Sequence, residues 1–129
     1  MNYNLIILIL SFISGYKFQQ SSVQVEKIEM FPAEPRPGES VKIRCYLKNV
    51  DPSKKIKPSI LWSIKEDGSD SWRIIGNGAS ITDTFNNRLS GRRVSNELFE
   101  IVFRPIQETD AGTVKCEVTN TEGNYYYYR

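Results

Sequence analysis

The sequence predicts an all-β fold: a two-sheet antiparallel sandwich joined by one inter-sheet disulfide. Three observations carry the prediction. Short segments of alternating apolar and polar residues recur along the chain, with turn signals at roughly 8–12-residue intervals. No window of about eleven residues or more shows the 3.6-residue apolar spacing of a helix. The only two cysteines, Cys45 and Cys116, lie 71 residues apart on an early and a late strand-like segment, where a bridge staples two facing sheets.

The chain opens with "MNYNLIILILSFISGYKF", in which residues 5–13 are apolar except for Ser11. A membrane-spanning helix needs about 20 apolar residues, whereas the apolar core of a secretory signal needs about 7–15. The expected organisation is a signal peptide over residues 1–15, cleaved after Gly15, a short segment over 16–22 and one domain over 23–129. The alternative for the first segment is a short buried strand or an uncleaved anchor. The terminal "NYYYYR" is no lipid-anchor signal. A secreted, extracellular chain places both cysteines in an oxidising compartment, which is what makes a disulfide the simplest reading.

Each later segment follows from its pattern. "VQVEKIEMF" alternates loosely and stops at Pro32. "VKIRCYL" alternates strictly, with Val41, Ile43, Cys45 and Leu47 on one face and Lys42, Arg44 and Tyr46 on the other. "KNVDPSKKIKPS" carries Pro52, Pro58 and three lysines and reads as an exposed loop. "ILWSIKEDG" puts Ile60, Trp62 and Ile64 on one face and ends in Asp67-Gly68, a hairpin signal. "WRIIGNG" and "ASITDTF" read as shorter strands, and "NNRLSGRRVSN" as a weak edge strand with its turns. "ELFEIVF" aligns Phe99, Ile101 and Phe103, and "TVKCEV" aligns Val114, Cys116 and Val118. "NYYYYR" is β-prone but short.

Taken in order, these residues resemble the immunoglobulin superfamily, in its intermediate (I-set) form, over nearly all of residues 23–129. "PGESVKIRC" resembles the family's B strand, and Trp62, seventeen residues after Cys45, resembles the core Trp of strand C. "IVFRPI" is similar to strand E and the apolar residue after it. "DAG" before Cys116 is similar to the E–F turn, and "CEVTNTEG" to the F–G hairpin. Two departures stand out. The family usually carries a Tyr two residues before the second Cys, and here that residue is Val114. The corner is therefore expected to rest on the disulfide and on Asp110, which accepts backbone N–H groups or pairs with Arg88, Arg92 or Arg93. The last strand is also short for the I-set, so either it is stunted or the sequence is part of a longer protein. Asp110, Gly112, Val114 and Trp62 are the expected structural positions.

Chemistry-bearing constellations are scarce. Hydrophobic residues make up 40% and charged residues 25%, an ordinary folded composition, and the net charge of +2 is too small to argue for nucleic acid. The chain has no His, which removes Ser-His and Cys-His nucleophile pairs and leaves two thiols as half of a zinc site. No metal, cofactor or enzymatic activity is expected. "GNGASI" lacks the third glycine and following helix of a phosphate loop. Glu66, Asp67 and Asp70 read as a solvated hairpin tip, with weak cation binding the alternative.

The expected activity is therefore binding. The resemblance implies a soluble ligand or modulator of an extracellular or cell-surface protein, in cell recognition or adhesion, with secreted neuronal one-domain proteins as a comparison by architecture. Alternatives are the first domain of a larger adhesion receptor, or a module for a sulfated glycan. Candidate contact residues are Trp72, expected near a sheet edge, the outward pair among Tyr125, Tyr126, Tyr127 and Tyr128, and the basic loop residues Lys54, Lys55 and Lys57.

Overall fold

The computed structural model describes residues 6–8, 23–55 and 57–119. Among the described residues nine strands and one short 3-10 turn follow in order: β1 (Ile6–Leu8), β2 (Gln24–Phe31), β3 (Val41–Lys48), β4 (Ser59–Glu66), β5 (Arg73–Asn77), β6 (Ser80–Ile81), β7 (Leu89–Ser95), β8 (Leu98–Phe103), η1 (Glu108–Asp110) and β9 (Gly112–Thr119). They form two sheets, ordered β2-β3-β8-β7 and β1-β9-β4-β5-β6. All pairings are antiparallel except one: Ile6–Leu8, inside the segment expected to be a leader, runs parallel to the start of β9.

The strict alternation of β3 becomes its burial pattern. Val41, Ile43, Cys45 and Leu47 point into the sandwich, and Lys42, Arg44 and Tyr46 point out. Ile60, Trp62 and Ile64 of β4 and Val114 and Cys116 of β9 come in from the facing sheet, and each is fully buried. Phe99, Ile101 and Phe103 of β8, Ile75 of β5 and Ile106 complete the core. The loose alternation of β2 has a structural cause, a bulge between Val25 and Lys27 that re-phases the strand against β3. The Cys45–Cys116 disulfide joins β3 to β9 and therefore one sheet to the other, with the two Cα atoms 6.5 Å apart. At the Asp67-Gly68 turn, Gly68 sits at φ +85, a backbone conformation that side chains disfavour.

Candidate functional site

The outer face of β9, β4 and β5 is built by the same period-two rule that builds the core. Because Ile60, Trp62 and Ile64 point inward, Leu61, Ser63 and Lys65 point outward, and Lys115 and Glu117 do likewise on β9. Register places Lys115 and Ile74 on either side of Ser63. Trp72 lies one residue before β5, rather than opening it, and its ring comes over this row. The Lys115 Nζ is 4.2 Å and the Lys65 Nζ 5.5 Å from the ring centre. An ammonium over an indole is attracted by the negative π face, worth about 0.5–1 kcal/mol at an exposed site. Lys115 also meets Glu117 at 3.6 Å. Trp72 keeps 37% of its surface exposed and Ile74 56%, so two large apolar side chains stand together on a face rimmed by charge. Trp62, by contrast, is fully buried.

The corner that orders the end of this sheet is tied by an ion pair. Asp110 closes η1 and is almost completely buried. Arg88 Nη1 donates to its Oδ2 at 2.7 Å and Nη2 to its Oδ1 at 2.9 Å, a two-pronged contact, while the Gln107 N–H donates to Oδ2 at 2.7 Å. Arg88 Nη1 reaches the Pro105 carbonyl as well, and the carboxylate raises the guanidinium pKa further. Arg92 and Arg93 are engaged elsewhere, at Glu100 and at the Pro58 carbonyl. Three consecutive left-handed residues, Phe85, Asn86 and Asn87, turn the chain just before Arg88 and aim it at the corner. Asn tolerates that conformation well, and Phe85 is held in it by an edge-on contact with Phe103 at 5.2 Å. Val114 fills the position of the missing Tyr as a fully buried core residue. A side chain at Gly112 would collide with the Lys65 carbonyl oxygen, which explains a glycine where β9 first meets β4.

Two sheets in this order, a Cys–Cys staple beside a buried Trp and a charged E–F corner define the arrangement. A family model of the immunoglobulin domain matches residues 33–129. The chain belongs to the immunoglobulin domain family. No curated protein matches it. An immunoglobulin domain of this kind is a binding or recognition module, and the family is typically extracellular and disulfide-bonded. Among the described residues, no helix is long and apolar enough to cross a membrane.

The other expected contact positions fare unequally in this immunoglobulin domain. Lys54 and Lys55 are exposed on the loop between β3 and β4. Lys57 does not project freely, since its Nζ donates to the Pro52 carbonyl at 2.9 Å. The same loop holds Asp51, whose carboxylate accepts from the hydroxyl and amide of Ser53. Those bonds lower the Asp51 pKa and keep a negative charge among the lysines. Glu66 of the acidic hairpin tip faces Arg73 at 3.8 Å, and no cluster of three metal-capable side chains occurs among the described residues. Tyr125, Tyr126, Tyr127 and Tyr128 lie outside the described residues. Ile74, Lys65 and Lys115 were not among the expected contact residues. The signal for Ile74 was present, because Ile74 and Ile75 are adjacent in a strand and cannot both point inward.

Proposed function

We propose that this immunoglobulin domain is a secreted recognition module, a soluble ligand or modulator that binds an extracellular or cell-surface protein through the outer face of β9, β4 and β5. The exposed Trp72–Ile74 pair carries this reading. Apolar and aromatic residues gathered inside a charged rim are the usual composition of a protein-binding hot spot. In this reading residues 1–15 are a signal peptide, and sequencing of the secreted product begins at Tyr16. Cleavage there removes β1 from its place beside β9. The sequences "CEVTNTEG" and "DAG" support assignment to the I-set.

The experiment is a binding screen of the secreted domain against extracellular proteins, followed by retesting the best hit with Trp72→Ala and Ile74→Ser. Truncating a hot-spot residue typically loses 2 kcal/mol or more, about 30-fold in Kd. A hit that tolerates both substitutions rules out this face as the contact.

A further inference from the structure

The opposite face of the sandwich carries a cluster with different chemistry. On the outer side of β2-β3-β8-β7, register sets Arg44, Glu100 and Arg92 side by side across β3, β8 and β7. Arg44 Nε donates to Glu100 Oε2 at 2.8 Å and Arg92 Nε donates to Glu100 Oε1 at 2.9 Å. One carboxylate, only 2% exposed, is thus shared by two guanidinium groups. Beside them lies a shallow depression of about 240 Å³ lined by Lys42, Ser90, Arg92, Glu100, Val102 and Arg104. Three cationic side chains line it against a single carboxylate that is already saturated. Lys42 and Arg104 are exposed and have no acidic partner among the described residues.

We infer that this depression is the anchoring point for a sulfated polysaccharide. The charge is positive and two of its three carriers are hydrogen-bonded in place. Glu100 fixes Arg92 through Nε, and a Ser40 hydroxyl 3.3 Å from Arg104 Nε steadies the rim. β3 and β8 are interior strands whose backbone groups are paired on both sides, so no peptide can add as a strand there. Over β3 and β8 recognition then runs through side-chain charge, spread with that of β7, the last strand of the sheet, at about 4.8 Å intervals. That geometry suits a chain with closely repeated sulfates better than an unmodified peptide, which carries at most one charge per residue. The inference rests on the extracellular reading, where such polysaccharides occur, but not on Trp72 or on any protein partner. It also places the polyanion contact away from the loop of Lys54 and Lys55.

The test is retention on immobilised heparin, followed by solution titration with heparin, using the secreted chain. Lys42→Ala/Arg104→Ala is the variant, because Arg44 and Arg92 stay in place and Glu100 keeps its partners. Each exposed ion contact near 4 Å is worth about fivefold in affinity in water, so the double variant should bind about 25-fold more weakly. Lys54→Ala/Lys55→Ala should bind as the parent does, and desulfated heparin should not bind. Failure of the parent to bind heparin overturns the inference. So does equal binding by Lys42→Ala/Arg104→Ala, or an equal loss in Lys54→Ala/Lys55→Ala. Polyglutamate competing as well as heparin at equal charge overturns the polysaccharide assignment in favour of an acidic polypeptide. The protein screen is unaffected by any of these outcomes.

Discussion

Removing Asp110 tests whether the Arg88 ion pair replaces the hydroxyl-to-backbone tie that Val114 cannot make. In Asp110→Ala, the Arg88 guanidinium keeps the Pro105 carbonyl as an acceptor and the Phe85 ring at 6.0 Å, and the Gln107 N–H loses its acceptor. Breaking a buried ion pair by deleting one partner costs about 3–5 kcal/mol, because the other charge is left unpaired. Arg88 retains 13% side-chain exposure, so water recovers part of that penalty, and about 3 kcal/mol is the expected loss. A domain of this size holds about 5–15 kcal/mol in total, and 1 kcal/mol moves Tm by about 4–8 °C. The variant should therefore melt roughly 12–24 °C below the parent.

Circular dichroism melting with the disulfide intact, supported by urea unfolding, reads the loss directly. Arg88→Ala should lose a comparable amount, and the double variant should lose clearly less than the sum, with a coupling of about 2 kcal/mol. Arg93→Ala, in β7 and five residues beyond Arg88, serves as the control. It removes one exposed hydrogen bond to the Pro58 carbonyl and the guanidinium contact over the Phe99 ring at 4.9 Å, and should lose about 1–2 kcal/mol, less than Asp110→Ala. The reasoning fails if Asp110→Ala stays within 1 kcal/mol of the parent, or if the two single losses simply add.

Three further outcomes follow from the structure. Replacing Cys45 and Cys116 together by Ala opens a 71-residue loop and should lower stability by about 4 kcal/mol in urea unfolding; a loss under 1 kcal/mol removes the staple from the account. Gly112→Ala pushes a Cβ into the β4 backbone, with the Glu66 Cα also only 3.0 Å away, and should lose about 1–3 kcal/mol by overpacking; an unchanged Tm contradicts that close approach. Burial pushes the Glu100 carboxyl up, but hydrogen bonds from Arg44 and Arg92 outweigh it and hold its pKa below the ordinary value. The folded state therefore favours the charged form, so this contribution is complete above about pH 4.3 and fades as pH falls through the lowered pKa. Urea unfolding between about pH 3 and pH 7 should show a shallower acid decline in Glu100→Gln than in the parent, and identical slopes refute the assignment.

What the sequence made legible was the part of the fold that depends on local period. The alternation of β3, β4, β8 and β9 named the inward residues directly, because side-chain direction in a strand has period two. The role of Asp110 was legible only to the level of three candidate arginines. Choosing among them required the left-handed turn at residues 85–87 and the distance from β7 to the E–F corner, neither of which is local to Asp110. Glu100 was harder still. Between Phe99 and Ile101 it reads as an ordinary solvent-facing charge, and it does face outward, yet it is buried under two arginines contributed by β3 and β7. That burial is a consequence of register between strands 56 and 8 residues away along the chain. Trp72 was placed near the sheet edge, but its two lysine neighbours come from β4 and β9 and depend on the same long-range pairing.

The two outer faces differ in how they hold their charges. On the Trp72 side, ammonium groups lean on an aromatic ring, and a lysine is a flexible point charge there. Rearrangement is cheap, which suits a surface that adapts to a protein. On the Glu100 side, the planar guanidinium groups of Arg44 and Arg92 are fixed at Nε by one buried carboxylate, so these two lose little conformational freedom when an anion arrives, and only Lys42 has to be ordered as a flexible lysine. The disulfide and the Arg88–Asp110 pair lock the sheets between these faces, and the faces share no residue. Occupation of one should leave the affinity of the other unchanged, because a rigid sandwich offers no second arrangement through which coupling could pass.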